Sequence, residues 1–313
     1  MSRKKIFITG AAGFIGFHLQ RELSKKYLVD GMDELDNSKK ASLIRNQYNT
    51  NVRQDSVQNS FLNKLEEKPN ILIHLAAETG ISGSLLNPTL YFQQNIEGTF
   101  NVLEQCRKNG VKYLIYASSS SVYEPNQSVM SEDSPTNNQL SFYGTSKKMT
   151  ELMIENYCKQ FGLTAIGLRF FTVYGSWTRP DMAAYKFMTA INENKPITLY
   201  NQGNVYRDFT HVSDIVHSIS LLLDKIQKEK EGFHEIFNIG FGSPISIKEY
   251  ATIIAQNLNK ELIYEFKELP QNELFSTHCD TTKLNSYIHY KPICKVQDGI
   301  FEMTNWFKNF RYV

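Results

Sequence analysis

Tyr143 and Lys147 stand four residues apart at the head of a segment that continues through Glu151, Leu152 and Ile154 in a helical pattern. At that spacing a phenol and an ammonium share one helix face. The pair suits proton transfer to and from an alcohol. Bringing a tyrosine from its ordinary pKa of about 10 to about 7 takes roughly 4 kcal/mol of preferential phenolate stabilisation, which a nearby positive charge helps to provide. A Tyr-x-x-x-Lys pair alone is usually just a helix surface. Its weight here comes from Ser118-Ser119-Ser120-Ser121, which follows the apolar run 113–117. A hydroxyl at such a strand end can share a proton with Tyr143 and hold a reacting alcohol. The plain alternative is a polar strand end that caps the next segment.

A second constellation opens the chain. Ile6-Phe7-Ile8-Thr9 leads into GAAGFIG (10–16) and then into a helical pattern. Strand, glycine turn and helix together form the context of a dinucleotide site. Gly10 permits a tight turn, Gly13 lets backbone approach a pyrophosphate, and Gly16 lets the helix pack closely on a sheet. The helix N-terminus adds unpaired N–H groups and a positive dipole end. The alternative is simple turn punctuation, and the spacing is GxxGxxG where GxGxxG is common. Asp33, just past a second apolar run, can accept both ribose hydroxyls of an adenosine and repel a 2′-phosphate, which favours NAD over NADP. Lys39 and Lys40 lie nearby and soften that preference. Asp55 is placed either to meet the adenine or to cap a helix.

The elements that must position these groups are legible as alternation. Strand-like runs occupy 5–9, 28–32, 51–54, 71–76, 113–117 and 165–169, with helical stretches at 15–25, 90–108 and 144–161. Short apolar strands separated by helices predict an α/β fold with a doubly wound parallel sheet. Ile15, Leu19 and Leu23 repeat at helical spacing and mark a buried face. Ile236–Ile239 reads as one more core strand. Beyond about Thr172 the pattern loosens and a smaller, loop-rich lobe is expected. The division is 1–173 for the dinucleotide domain, returning near 203–239, and 174–202 with 240–313 for the lobe. Lys225–Glu231 reads as a solvated helix end or loop.

Composition excludes several classes. The 313 residues carry 34 Lys+Arg against 32 Asp+Glu, a net charge of +2, so no basic stripe for nucleic acid is expected. No apolar run reaches the length of a membrane span, and the first residues read as a strand rather than a signal peptide. Cys106, Cys158, Cys279 and Cys294 form no CxxC pair, which points to reduced thiols, a cytoplasmic protein and neither zinc nor disulfides. His74 reads as a satisfied core histidine. His211 and Asp214 lack a third ligand at metal spacing, so no metal is expected. Trp306 and Phe307 read as helix packing.

Taken in order, GAAGFIG (10–16), HLAAETG (74–80), SSSSVY (118–123), YGTSK (143–147), LRFFTVYG (168–175) and RDFTHVSD (207–214) resemble the extended short-chain dehydrogenase/reductases that act on nucleotide sugars. LRFFTVYG followed by Ser176-Trp177-Thr178-Arg179-Pro180-Asp181-Met182 is most similar to the UDP-glucuronate 4-epimerases within that family. The resemblance implies a Rossmann-type domain with a smaller C-terminal α/β substrate lobe, bound NAD, a UDP-sugar substrate and a homodimer built on helices 90–108 and 144–161. It makes Tyr143 the acid/base, Lys147 the group that holds the nicotinamide ribose and lowers the tyrosine pKa, and Ser119 the catalytic hydroxyl. On the cofactor side it adds Phe14, Ile15, Asn37, Ser38, Asp55, Ser56, Leu75, Ala76, Ala77 and Asn95. On the substrate side it adds Ser120, Ser121, Thr172, Arg179, Leu199, Tyr200, Arg207 and Glu273. Arg207 suits a diphosphate because its fork can be bidentate, the alternative being a surface pair with Asp208.

The related dehydratases carry Asp and Glu at the positions of Ser120 and Ser121. A serine cannot replace a carboxylate as a general base near neutral pH, so elimination is disfavoured and oxidation followed by reduction at C4 is favoured. Departures exist. Thr79–Ser84 lacks the Arg and Tyr of the glucuronate epimerases, Glu78 adds a carboxylate, Glu124 replaces a Gly, and Asp33–Ser38 resembles the UDP-galactose 4-epimerases. The rival readings are a sugar-nucleotide 4-dehydrogenase or reductase, a 4-epimerase of another UDP-hexose, and a non-catalytic NAD-sensing regulator.

Overall fold

The computed structural model describes residues 4–35, 52–125, 127–270 and 273–310. Two compact units emerge. The first draws on Met1–Glu124, Pro135–Phe170 and Val216–Phe237, and the second on Pro125–Ser134, Phe171–Ile215 and Asn238–Val313.

In the first unit the chain runs β1 (Lys5–Thr9), α1 (Phe14–Leu23), β2 (Leu28–Asp33), β3 (Val52–Gln54) and β4 (Ile71–His74). It continues through α2 (Ile81–Leu86), α3 (Pro88–Tyr91), a π-helical turn at Phe92–Glu97, α4 (Gly98–Asn109), β5 (Tyr113–Ser119), α5 (Phe142–Phe161) and β6 (Thr164–Phe170). With His234–Ile239 these strands form a seven-stranded sheet of order His234–Ile239, β6, β5, β4, β1, β2, β3, and every register from β1 to β6 is parallel. The order reverses between β1 and β4. That topological switch point is where open α/β sheets bind ligands, beyond the strand carboxyl ends. Ile6, Phe7 and Ile8 are all buried, as befits a strand covered on both faces.

The doubly wound expectation holds, with local differences that have causes. On α1 the buried face is Phe14, Gly16, Phe17, Leu19, Gln20 and Leu23, while Ile15 is only half-buried. Strand β4 stops at His74 because the Leu75 and Ala76 N–H groups turn to the Thr9 carbonyl (3.1 Å) and Thr9 Oγ1 (3.3 Å). The stretch expected as one helix over 90–108 is helical throughout, and the π turn is a bulge between α3 and α4. There the Asn95 carbonyl accepts the Thr99 hydroxyl at 2.6 Å, a local rearrangement of the helical ladder. Strand β5 runs two residues further than expected, with Ser118 and Ser119 registered against Arg169 and Phe170. Helices α4 and α5 each end on a left-handed glycine, Gly110 and Gly162.

The second unit is less loop-rich than expected, because amphipathic segments there fold as helices once their apolar faces find partners. It holds helices Ala183–Asn192, Ile247–Leu258, Thr282–Ile288 and Val296–Phe310, and small strand pairs such as Thr172–Tyr174 with Phe209–His211. Phe209 and Tyr250 stack at 3.9 Å, and Trp306 and Phe307 pack against Trp177 and Tyr185. The charged stretch 225–231, in the first unit, holds the last two residues of the helix Val212–Ile226 and the turns that follow it.

Candidate active site

The glycine loop is shaped by contacts that no side chain could share. Gly10 has φ +71°, and a Cβ there would lie 2.7 Å from the Ala76 nitrogen. Gly13 is the N-cap of α1 and places no side chain across the helix end. A Cβ on Gly16 would sit 2.1 Å from the Gly10 carbonyl oxygen, so this glycine lets α1 close on its own entry loop. Phe14 is buried edge-on against His18. Asp33 accepts the Ala12 N–H at 3.0 Å and the Leu35 N–H at 3.4 Å, tying β2 to the loop. Burial pushes the Asp33 pKa up, and these backbone donors partly oppose the rise. A glycine-shaped loop at a helix end that has no side-chain cap, with a carboxylate on the adjoining strand, fits a dinucleotide.

Other cofactor-side residues have clear positions. Asp55 accepts the Ser56 N–H (2.9 Å), the Asn59 amide (2.8 Å) and Lys64 (2.6 Å). Burial raises its pKa, but Lys64 and Asn59 outweigh that and hold it below the usual carboxylate value. It brackets a turn; the helix N-cap alternative does not hold, since the next helical turn, Phe61–Lys64, is entered through Ser60. The Ser56 hydroxyl donates to Glu34 at 2.5 Å, and Gln94 reaches the same carboxylate oxygen at 3.2 Å. Glu34 was missed by sequence reasoning. Leu75, Ala76 and Ala77 follow β4 in partly buried positions. Asn37 and Ser38 lie outside the described residues.

The catalytic candidates gather at the carboxyl end of β5. Ser141 caps α5 by accepting the Gly144 N–H at 3.1 Å, which starts the helix one residue before Tyr143. A Cβ on Gly144 would meet the Ser121 carbonyl at 2.2 Å, so Gly144 lets the head of the helix lie directly on the serine run. Ser119 accepts the Ser121 N–H at 3.1 Å and opens the 3-10 turn Ser120–Val122. Lys147 is almost fully buried and donates to the Ala117 carbonyl at 2.9 Å; burial lowers its pKa to about 8. The Tyr143 ring meets the Tyr91 ring edge-on at 6.1 Å, and the Tyr91 hydroxyl is anchored on the Thr79 and Gly80 carbonyls.

Behind these groups lie two buried networks. In the first, His74 sits between Thr9 Oγ1 (2.7 Å) and Thr99 Oγ1 (3.1 Å), and burial followed by the Lys147 charge lowers its pKa to about 3. It is a neutral core histidine, as expected. Asn95 donates to the Glu78 carbonyl (3.0 Å) and Ser146 Oγ (2.9 Å) and accepts the Glu78 N–H (2.8 Å). Both of its amide hydrogens are therefore engaged inside the protein. In the second, Glu151 and Arg169 form a two-pronged buried pair at 2.8 and 2.9 Å. Ser118 donates to Glu151 at 2.6 Å, and Arg169 donates to the Tyr123 hydroxyl at 3.0 Å. This pair was also missed: Glu151 and Arg169 are distant in sequence, and only the α5–β6 packing brings them together.

The substrate-side candidates from Thr172 onward belong to the second unit. Thr172 donates its N–H to the Asp208 carbonyl at 3.1 Å. Arg179 pairs with Asp181 through two hydrogen bonds of 2.9 and 2.6 Å. Leu199 is buried and Tyr200 exposed on the strand Ile197–Tyr200, which pairs with Tyr264–Lys267. Arg207 donates to Glu273 at 3.0 Å, and burial lowers its pKa against the pull of Glu273. The surface pair of Arg207 with Asp208 is overturned. The Asp208 carboxylate is buried and accepts the N–H groups of Phe241 (2.8 Å), Gly242 (3.0 Å) and Cys279 (3.1 Å).

A glycine loop at a switch point, followed by Tyr143 and Lys147 on one helix above a serine run, defines a Rossmann-type enzyme of the short-chain dehydrogenase/reductase kind. The NAD dependent epimerase/dehydratase family model matches residues 6–240, and the chain belongs to that family. It is similar to protein CapI of Staphylococcus aureus, 37% identical with 98% of this chain and 99% of that one covered. It is also similar to the UDP-glucuronate 4-epimerase of Thermodesulfobacterium geofontis, 33% identical over 96% and 95% of the two chains. Among solved structures, the UDP-glucuronic acid 4-epimerase from Bacillus cereus, in complex with UDP-glucuronic acid and NAD, matches with a TM-score of 0.89. Its identity is 30%, covering 97% of this chain and 99% of that one.

Proposed function

We propose that this chain is an NAD-dependent 4-epimerase that interconverts UDP-glucuronate and UDP-galacturonate. The observation that carries the reading is the head of α5. There Gly144 seats Tyr143 and Lys147 directly on a run that offers Ser119, Ser120 and Ser121 and no carboxylate. Tyr143, as phenolate, takes the proton of the C4 hydroxyl and later returns it. Lys147, charged below about pH 8 and fixed by the Ala117 carbonyl, favours the phenolate. Ser119 holds the reacting oxygen. NAD, when bound, supplies the acceptor to which C4 loses its hydride and from which it regains one. The Gly10, Gly13 and Gly16 loop would hold its pyrophosphate, Asp33 its adenosine ribose and Lys147 its nicotinamide ribose. Ser120 and Ser121 cannot strip a proton from carbon, so the flat 4-ketone is not diverted into elimination. It turns over and is reduced on its other face.

Arg207 is assigned to the diphosphate, with Glu273 beside it, Leu199 and Tyr200 to the uracil, and Thr172 and Arg179 to the uronate. A homodimer through α4 and α5 belongs to the same proposal. Phe100 on α4, and Leu152 and Phe161 on α5, are exposed apolar groups that a partner would cover. The four unpaired cysteines support a reducing, cytoplasmic setting, and a UDP-uronate product would feed polysaccharide biosynthesis.

The test is incubation of the purified protein with UDP-, GDP- and dTDP-sugars followed by product identification. UDP-galacturonate should form from UDP-glucuronate with no accumulation of NADH. Stoichiometric NADH would make the protein a dehydrogenase. Conversion of a neutral hexose alone would overturn the uronate assignment.

A further inference from the structure

We propose that Asp181 is the internal partner of Arg179 that the sugar carboxylate displaces, which makes it a specificity-tuning residue; the inference rests on the uronate reading above. The two Arg179 hydrogen bonds to Asp181, Nε to Oδ1 at 2.9 Å and Nη2 to Oδ2 at 2.6 Å, form the same fork that any carboxylate would make. The pair lies near the surface, with side chains 32% and 61% exposed. The buried Arg169–Glu151 fork has the same geometry, but its side chains are only 4% and 2% exposed. Separating that buried pair would leave an uncompensated buried charge, whereas a pair in contact with water is weak and exchangeable.

The backbone that carries Arg179 is, by contrast, held firmly. Gly175 has φ +143° and Trp177 has φ +62°, a left-handed conformation that a bulky side chain adopts only under surrounding constraint. The Trp177 ring is buried against Trp306 at 5.5 Å and Phe310 at 6.1 Å. On either side of the arginine, the Thr178 N–H donates to the Gly175 carbonyl and the Met182 N–H donates to the Arg179 carbonyl at 3.1 Å. The stem is fixed and the head is parked on an exchangeable anion.

That arrangement matters because the 4-ketone must turn over between the two hydride steps, so the grip on its carboxylate has to be released and remade. When Arg179 can return to Asp181, release leaves no unpaired guanidinium. A neutral C6 hydroxymethyl group offers no second acceptor oxygen and does not compete for the fork.

The test is a binding cycle on the full chain, with calorimetric affinities for UDP-glucuronate and UDP-glucose in wild type, Asp181→Asn, Arg179→Gln and the double variant. Asp181→Asn should tighten UDP-glucuronate two- to fivefold, leave UDP-glucose unchanged, and have no effect once Arg179 is replaced. Its KM and kcat should fall together, whereas loss of a merely structural residue would raise KM. Unchanged or weaker UDP-glucuronate binding would overturn the proposal. So would a tightening that persists in the Arg179→Gln background, since that would mean simple relief of charge repulsion. Turnover of UDP-glucuronate by the wild type reports separately on the epimerase reading.

Discussion

Lys147 in the first unit and Arg179 in the second are both cations assigned to a ligand, and they are held in opposite ways. Lys147 is buried, bound to a backbone carbonyl, and sits behind a glycine that presses its helix onto the serine run. Arg179 lies a third exposed, and its partner is another, more exposed side chain. The same contrast runs through their neighbours. Around Tyr143 the polar groups are locked by backbone and buried side chains, from His74 between two threonines to Asn95 between Glu78 and Ser146. Around Arg207 the partner is Glu273, which is itself partly exposed. Groups that must meet the transition state gain from being fixed beforehand, and groups that must take and release a ligand gain from having a weak internal substitute.

The contrast is open to test at five points. The largest effect is expected for Tyr143→Phe, which should lower kcat roughly 10²–10⁴-fold with little change in substrate affinity, as measured by turnover and calorimetry together. If affinity collapsed as well, the tyrosine would be part of the binding surface. Gly144→Ala should come next. The added Cβ has only 2.2 Å to the Ser121 carbonyl, so the helix head must shift. A loss of about tenfold to a hundredfold in kcat is expected from a displacement of that order. Gly110→Ala, at a left-handed position with open space around it, should cost only about 1 kcal/mol of stability and leave turnover intact.

Arg207→Gln should raise KM about tenfold and leave kcat within about twofold, the signature of lost uniform binding. An equal loss in kcat would erase the distinction between the two regions. A smaller change is expected in the pH response. The pKa of Lys147 is lowered by burial to about 8, so it is charged below that pH and neutral above it. A kcat profile should therefore fall by roughly fourfold between pH 7 and pH 8.5 as the ammonium is lost. A kcat flat across that range would show that the ammonium does not assist Tyr143.

Much of the first unit was legible in the chain because its signals are local. Buried parallel strands read as short apolar runs, and the glycine turn and the Tyr-x-x-x-Lys spacing each fit within one helical turn or two. Hydrogen-bond partner choice is not local, and adjacency in sequence does not fix it. Arg207 and Asp208 are adjacent and of opposite charge, yet one turns to Glu273 and the other to three backbone N–H groups. The helix over 90–108 is continuous as expected, but nothing in its own composition shows the π-bulge at Phe92–Glu97, where the Asn95 carbonyl accepts the Thr99 hydroxyl. The loop-rich appearance of the second unit failed for a related reason, since short amphipathic helices form only when tertiary packing covers them.

The amino-acid order alone determined the strand and helix alternation, the glycine loop and the placement of Tyr143 and Lys147 on one helix, because these depend on periodicity and spacing along one segment. Tertiary structure decided which charges are locked and which are exchangeable: Lys147 onto Ala117, Glu151 onto Arg169, and Arg179 onto Asp181 at the surface. The physical reason is that the strength of a charged contact is set by how much water its neighbours exclude, and those neighbours come from parts of the chain far apart in sequence.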